Sequence, residues 1–213
     1  MKEENLNHLN KVIQIGTQMW TTENLSVSKY RNGDDIPQVQ DAFDWEDLTT
    51  GAWCYFNNDP KEGVIYGKLY NWYAVNDTRG LAPEGYHIPS NEEWTTLINY
   101  LGGRESAGGK MKMEGTTHWH GPNKDATNES GFRGLPGGFR ADDDDIYHFL
   151  NRDLNGCWWS SSEKDWSSLE EDMSYIDYLK SLASYISLQS SNGIADKEFI
   201  TKTNGYYVRC LKD

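Results

Sequence analysis

Apolar residues along this chain come in short clusters separated by long polar stretches. One segment carries a sustained helical stripe: Trp94, Leu97, Ile98 and Leu101 recur at i, i+3, i+4 and i+7. Ser90 and Glu93 form the S-x-x-E of a capping box in front of it, and Gly102-Gly103 closes it. Compact apolar runs predict strands at Val12 to Ile15, continued by Met19-Trp20, and at Ala52 to Phe56. Two more are predicted at Gly156 to Glu163 and, as the final strand, Gly205 to Leu211. A helical turn is expected from Phe43 to Thr50 behind Asp41, and Tyr66 to Val75 leans to helix in its second half. Asn32-Gly33 marks a turn. Gly108 to Gly121 reads as polar loop, and Gly-rich Thr127 to Arg140 as short strands and tight turns. Ser174 to Gln189 mixes short apolar and polar residues without one period. With no internal repeat and no Pro-rich linker, the pattern predicts an N-terminal extension, residues 1–11, and a single α+β domain with long loops over 12–213.

Composition changes this picture in two ways. Hydrophobic residues make up only 37 %, but nine Trp and thirteen Tyr supply much of the missing apolar area, so a folded domain is expected. The net charge of −13 argues against nucleic-acid phosphates and anionic membrane surfaces as partners. No apolar run reaches the roughly 18 residues of a membrane span, so no membrane insertion is expected. The N-terminal MKEENLNHLNKVIQIG lacks the apolar core of a secretory signal. Location stays open between a cell surface, if a leader has been removed, and a phage virion or the cytoplasm.

Most candidate chemistry has a plainer reading. His87, Glu92 and Glu93 offer metal-ligand atoms, but His87 precedes the helix across Pro89, Glu93 serves the cap, and Glu92 suits the first-turn dipole. His118 and His120 would share one side of a strand and could bind a metal there, but an exposed loop anchored by Trp119 is the preferred reading. The run Asp142 to Asp145 lacks EF-hand spacing and reads as a solvated acidic loop. Ser160-Ser161-Ser162 lacks a nucleophile elbow, and Gly137-Gly138 is not followed by the Lys of a phosphate loop. Cys54, Cys157 and Cys210 form no zinc-finger spacing. No metal or cofactor is expected. Trp166, Tyr175, Tyr178 and Tyr185, set among Asp177, Ser187 and Gln189, have the Tyr-with-polar composition of adaptable binding surfaces.

Eight ordered blocks carry a family resemblance: IGTQMWTTENL (15–25), KYRNGDDIP (29–37), WCYFNNDP (53–60), YGKLYNWYAV (66–75), LAPEGYHIPSNEEW (81–94), GFRGLPGGFR (131–140), WWSSSE (158–163) and GYYVRCLKD (205–213). Together they resemble the Fibrobacter succinogenes major paralogous domain, common in Bacteroidetes. That domain is similar in turn to the formylglycine-generating, sulfatase-modifying family, whose R-L-P-T-x-x-E-W reads HIPSNEEW here. The resemblance implies a C-type-lectin-like fold with a small twisted antiparallel sheet, two helices and long irregular loops. The formylglycine enzymes place a Cys pair before the closing strand. Cys210 matches the strand's own Cys, but Thr201 to Tyr207 contains none, so oxidase chemistry is not expected. Cys54 and Cys210 both lie in family-like blocks, which makes a disulfide between them an expectation, with Cys157 competing. E-P-N, Q-P-D and W-N-D calcium-lectin motifs are absent. The variable proteins of diversity-generating retroelements look similar too, with variation placed in the C-terminal segment.

The expected function is therefore a non-enzymatic ligand-binding display domain recognising a cell-surface protein or glycan. The expected face is Trp166, Tyr175, Asp177, Tyr178, Tyr185, Ser187 and Gln189. The alternatives are a structural module of a surface or phage assembly and a divergent sulfatase-modifying-type enzyme. Oligomeric state is open.

Overall fold

A computed structural model describes residues 11–141, 148–163 and 173–213. In chain order they form β1 (Val12–Ile15), β2 (Gln18–Thr21), α1 (Ala42–Glu46), β3 (Trp53–Cys54), α2 (Pro60–Tyr66), β4 (Leu69–Tyr70), α3 (Trp72–Val75), β5 (Tyr86–His87), α4 (Asn91–Tyr100) and α5 (Arg104–Met111). There follow β6 (Phe139–Arg140), β7 (Phe149–Leu150), β8 (Asn155–Trp159), α6 (Met173–Lys180), β9 (Leu182–Gln189), β10 (Ala195–Thr201) and β11 (Leu211–Lys212). The architecture is α+β with small antiparallel sheets: a four-stranded one in the order β1-β2-β11-β5, a three-stranded one in the order β10-β9-β8, and two pairs, β3-β4 and β6-β7. Six α-helices occur among the described residues, where the family resemblance implied two. Three of them are short turns opened by side-chain caps. Asp41 caps α1, Asp59 caps α2 ahead of Pro60, and Asn71 caps α3.

The core sits on both faces of the β8–β9 pair. Side chains alternate across a strand. Trp158, Ile186 and Leu188 join one apolar cluster, with Trp20, Trp94, Leu97 and Phe132. Cys157, Trp159, Ala183 and Tyr185 join a second, with Trp53, Tyr70, Trp72 and Tyr206. The rings interlock at 4.6 Å between Trp20 and Trp94 and at 5.5 Å between Phe132 and Trp158. Each large apolar side chain buried this way contributes about 1.5–3 kcal/mol.

The segment predicted as a long final strand behaves differently. Tyr206 exchanges both backbone hydrogen bonds with Tyr70, and Tyr207 pairs with the β8 backbone at Cys157 and Trp159. Residues 205–208 thus stitch β4 to β8 by single bridges, and only Leu211–Lys212 joins a ladder. The other correction falls at Gly108-Gly109, read as loop but buried in α5. A Cβ at Gly108 would lie 2.1 Å from the Ile194 carbonyl oxygen, and one at Gly109 2.4 Å from that of Asp125. These glycines serve close packing of a helix on neighbouring backbone rather than a turn.

Helix α4 follows its prediction in detail. Ser90 Oγ accepts from the Glu93 N–H at 3.2 Å, and Glu93 Oε2 accepts from the Ser90 N–H at 2.8 Å. Ser162 Oγ accepts from the Asn91 N–H at 2.9 Å, and Ser160 Oγ donates to the Pro89 carbonyl at 3.3 Å. The serine run therefore ties the end of β8 to the start of α4.

Candidate ligand-binding face

After α6 in the chain, strand β9 holds a packed aromatic layer. The Tyr185 ring lies 4.6 Å from Tyr206, and Tyr206 lies 4.6 Å from Trp159. Phe139 meets Tyr206 edge-on at 5.4 Å. Trp159 Nε1 donates to the Tyr70 carbonyl at 2.7 Å, which fixes its ring. Tyr185 faces Glu198 across the β9–β10 register, and its hydroxyl donates to that carboxylate. Burial first, then the Glu198 hydrogen bond, pushes the Tyr185 hydroxyl far above its ordinary pKa. It stays a protonated donor.

The residues of the expected face separate into three groups. Asp177 and Tyr178 stand exposed on α6, Tyr178 at 55 %. Tyr185 and Ser187 belong to the interior instead, at 8 % and 3 % exposure. Their polar neighbours pointed to solvent, but β9 is covered on both faces, so its serines alternate inside the packing. Ser187 Oγ has no hydrogen-bond partner among the described residues. Gln189 is half-buried at the β9–β10 hairpin, where its side chain accepts from Asn192 Nδ2 at 3.3 Å. Trp166 lies outside the described residues, as does the Asp142 to Asp145 run; Tyr175 falls within α6, but its side chain is outside the description.

The other candidates resolve into structure. His118 and His120 sit in a loop rather than a strand, with Trp119 buried between them and its Nε1 donating to the Gly134 carbonyl at 3.0 Å. His87 is clasped between Asp213, 2.7 Å from Nδ1, and Glu93, 2.8 Å from Nε2. Partial burial opposes its charge, but the two carboxylates prevail and its pKa is raised. Among the described residues, no group of three or more His, Cys, Asp or Glu could hold a metal ion. No helix there is long and apolar enough to cross a membrane. Cys54, Cys157 and Cys210 are all free, buried thiols, which corrects the expected Cys54–Cys210 disulfide. Burial raises the pKa of Cys54 to about 11 and of Cys210 to about 12, and that of Cys157 further still. None supplies a thiolate near neutral pH.

Sequence reasoning missed a set of buried cations that pin the loops. Lys112 Nζ donates to three carbonyls, those of Lys124 at 2.7 Å, Gln189 at 2.9 Å and Asn192 at 2.7 Å. Burial draws its pKa down to about 8, opposed by Asp125. Arg140 donates to the carbonyls of Val39, Gln40 and Asp41 and stacks 4.3 Å over Trp45. Arg209 donates from Nε to Asn24 Oδ1 at 2.6 Å and from its Nη atoms to the carbonyls of Thr21, Phe132 and Arg133. The available signal was a single basic residue inside an aromatic block, as in GFR and YVRCL. Charges so placed need main-chain acceptors to be buried at all.

The family model described as the Fibrobacter succinogenes major domain matches residues 13–212. Neither the curated proteins nor the solved structures yield a match to this chain.

Proposed function

We propose, for a chain that belongs to the Fibrobacter succinogenes major domain family, a non-enzymatic role: a lectin-like display domain that binds a cell-surface protein or glycan. One observation carries it. Asp177 and Tyr178 stand exposed on α6, and the strand that follows is locked into the Trp159–Tyr185–Tyr206 layer. An exposed tyrosine on a rigid support offers contact area at low entropic cost. In this reading Trp166, Tyr175, Asp177, Tyr178 and Gln189 form the contact face, while Tyr185 and Ser187 support it from beneath. Kinship with the variable proteins of diversity-generating retroelements belongs to the same reading. Three buried thiols with raised pKa values, and no Cys between Thr201 and Tyr207, favour it over a divergent sulfatase-modifying-type enzyme.

The test is a labelled protein on arrays of cell-surface glycans and surface proteins, compared with the D177A/Y178A double variant. Both positions are exposed, so the variant should keep its unfolding temperature and lose binding by about tenfold or more. Undiminished binding would move recognition off α6. Silence on both arrays would favour a structural module of a surface or phage assembly.

A further inference from the structure

A cleft of about 330 Å³ opens between α2, Lys11 with the 22–26 segment, and the 133–135 loop. Its floor is preorganised. Asn24 Oδ1 accepts from Trp158 Nε1 at 2.8 Å and from Arg209 Nε at 2.6 Å, and Asn24 Nδ2 donates to the Tyr66 carbonyl at 2.7 Å. Arg209 spends four of its five N–H groups on protein acceptors, which leaves one on a cleft-lining guanidinium that is 1 % exposed.

The charge lining this cleft runs against the molecule's −13. Lys11, Arg133 and Arg209 line it, and the one carboxylate among the described lining residues, Glu23, is paired with Lys11 at 2.5 Å. Arg133 remains. Its backbone is held at φ +58, a left-handed conformation that non-glycine residues disfavour, with its N–H on Asn128 Oδ1 at 2.9 Å. Its exposed guanidinium has no partner among the described residues. Beside it the wall is aliphatic, formed by Val64, Ile65 and Leu135, with Val64 84 % exposed.

We infer that this cleft binds a small organic carboxylate with a short branched aliphatic body. The Arg133 fork takes the two carboxylate oxygens, above the Arg209–Asn24 floor, and the aliphatic body covers Val64, Ile65 and Leu135. Among the described residues no aromatic ring lines the cleft to stack a sugar face, so this ligand class differs from the one assigned to α6.

The experiment is an amide NMR titration of the full chain with 4-methylpentanoate, with the matching neutral 4-methylpentanamide, and with inorganic phosphate. The carboxylate should shift the Asn24, Ile65 and Arg133 amides saturably, and the neutral amide should not. Arg133→Gln should weaken the carboxylate by about tenfold or more, and Arg133→Lys should weaken it less. D177A/Y178A should leave the titration unchanged, which separates this site from the α6 face. Equal binding of the neutral compound, indifference to Arg133→Gln, or shifts confined to other amides would overturn the proposal. Tighter binding of phosphate at the same amides would overturn the carboxylate assignment.

Discussion

Five residues of β8 and seven of β10 are matched to partners along β9, whereas β11 meets β2 at one residue, Leu211 opposite Trp20, and β5 at two. The three-stranded sheet satisfies its own backbone. The four-stranded sheet has too little ladder for that, and side chains take over. Thr21 Oγ1 accepts from the Cys210 N–H at 3.0 Å, Arg209 holds the Thr21, Phe132 and Arg133 carbonyls, and His87 joins β5 to Asp213 beyond β11. The difference teaches where polar side chains are structural in this molecule: they tie the backbone together where strands are shortest.

That contrast can be broken most sharply at Arg209. Arg209→Met keeps the apolar stem but takes a charged donor away from three interior carbonyls and from Asn24 Oδ1, which keeps only Trp158 Nε1. It should cost about 3–5 kcal/mol of unfolding free energy, measured by urea titration. A loss under about 1 kcal/mol would mean that packing, not the cation, holds the four-stranded sheet.

A smaller effect is expected from pH. His87 has a raised pKa in the folded state, so its contribution is fully present below the unfolded value near 6.5 and is lost as pH rises through the raised one. For Glu93, partial burial opposes ionisation but the Ser90 backbone N–H and His87 overcome it, so its pKa is lowered. Its contribution is present above the ordinary carboxylate range and is lost as pH falls through the lowered value. The clasp is therefore strongest in mildly acidic solution. Thermal unfolding of the parent protein should show a midpoint that declines as pH rises through neutrality, and His87→Gln should flatten that decline. An identical profile in the variant would remove the clasp from the account.

The smallest effect belongs to the three-stranded sheet. Ser187→Ala removes a buried hydroxyl that has no partner among the described residues, so stability should stay within about 0.5 kcal/mol of the parent or rise. A clear loss would show that β9 also depends on polar side chains.

Elements with local signals were legible in the sequence. The α4 stripe and capping box, the Asp41 helix start and the β1, β3 and β8 runs all come from periodicity or caps within a few residues. What escaped was set by distant chain. Residues 205–208 are extended because β4 and β8 flank them, and Gly108-Gly109 is helical because the 193–194 backbone packs there. Strand β10 was not anticipated; its Lys197 and Glu198 stand exposed on the sheet's edge, which gives it no apolar run to read. At the candidate face, composition singled out Tyr178 and Tyr185 alike. Only the packing separates the exposed ring from the buried one, because both have polar neighbours in sequence.

Lys112 carries a last consequence. An ammonium held by three main-chain carbonyls does the work that loops elsewhere assign to a bound ion, joining the end of α5 to the 124 loop and the β9–β10 hairpin. A cation covalently tethered to the chain cannot be chelated, exchanged or diluted away. The geometry of this corner is therefore indifferent to the metal ions of its surroundings, and its charge is lost only by substitution or as pH rises through about 8.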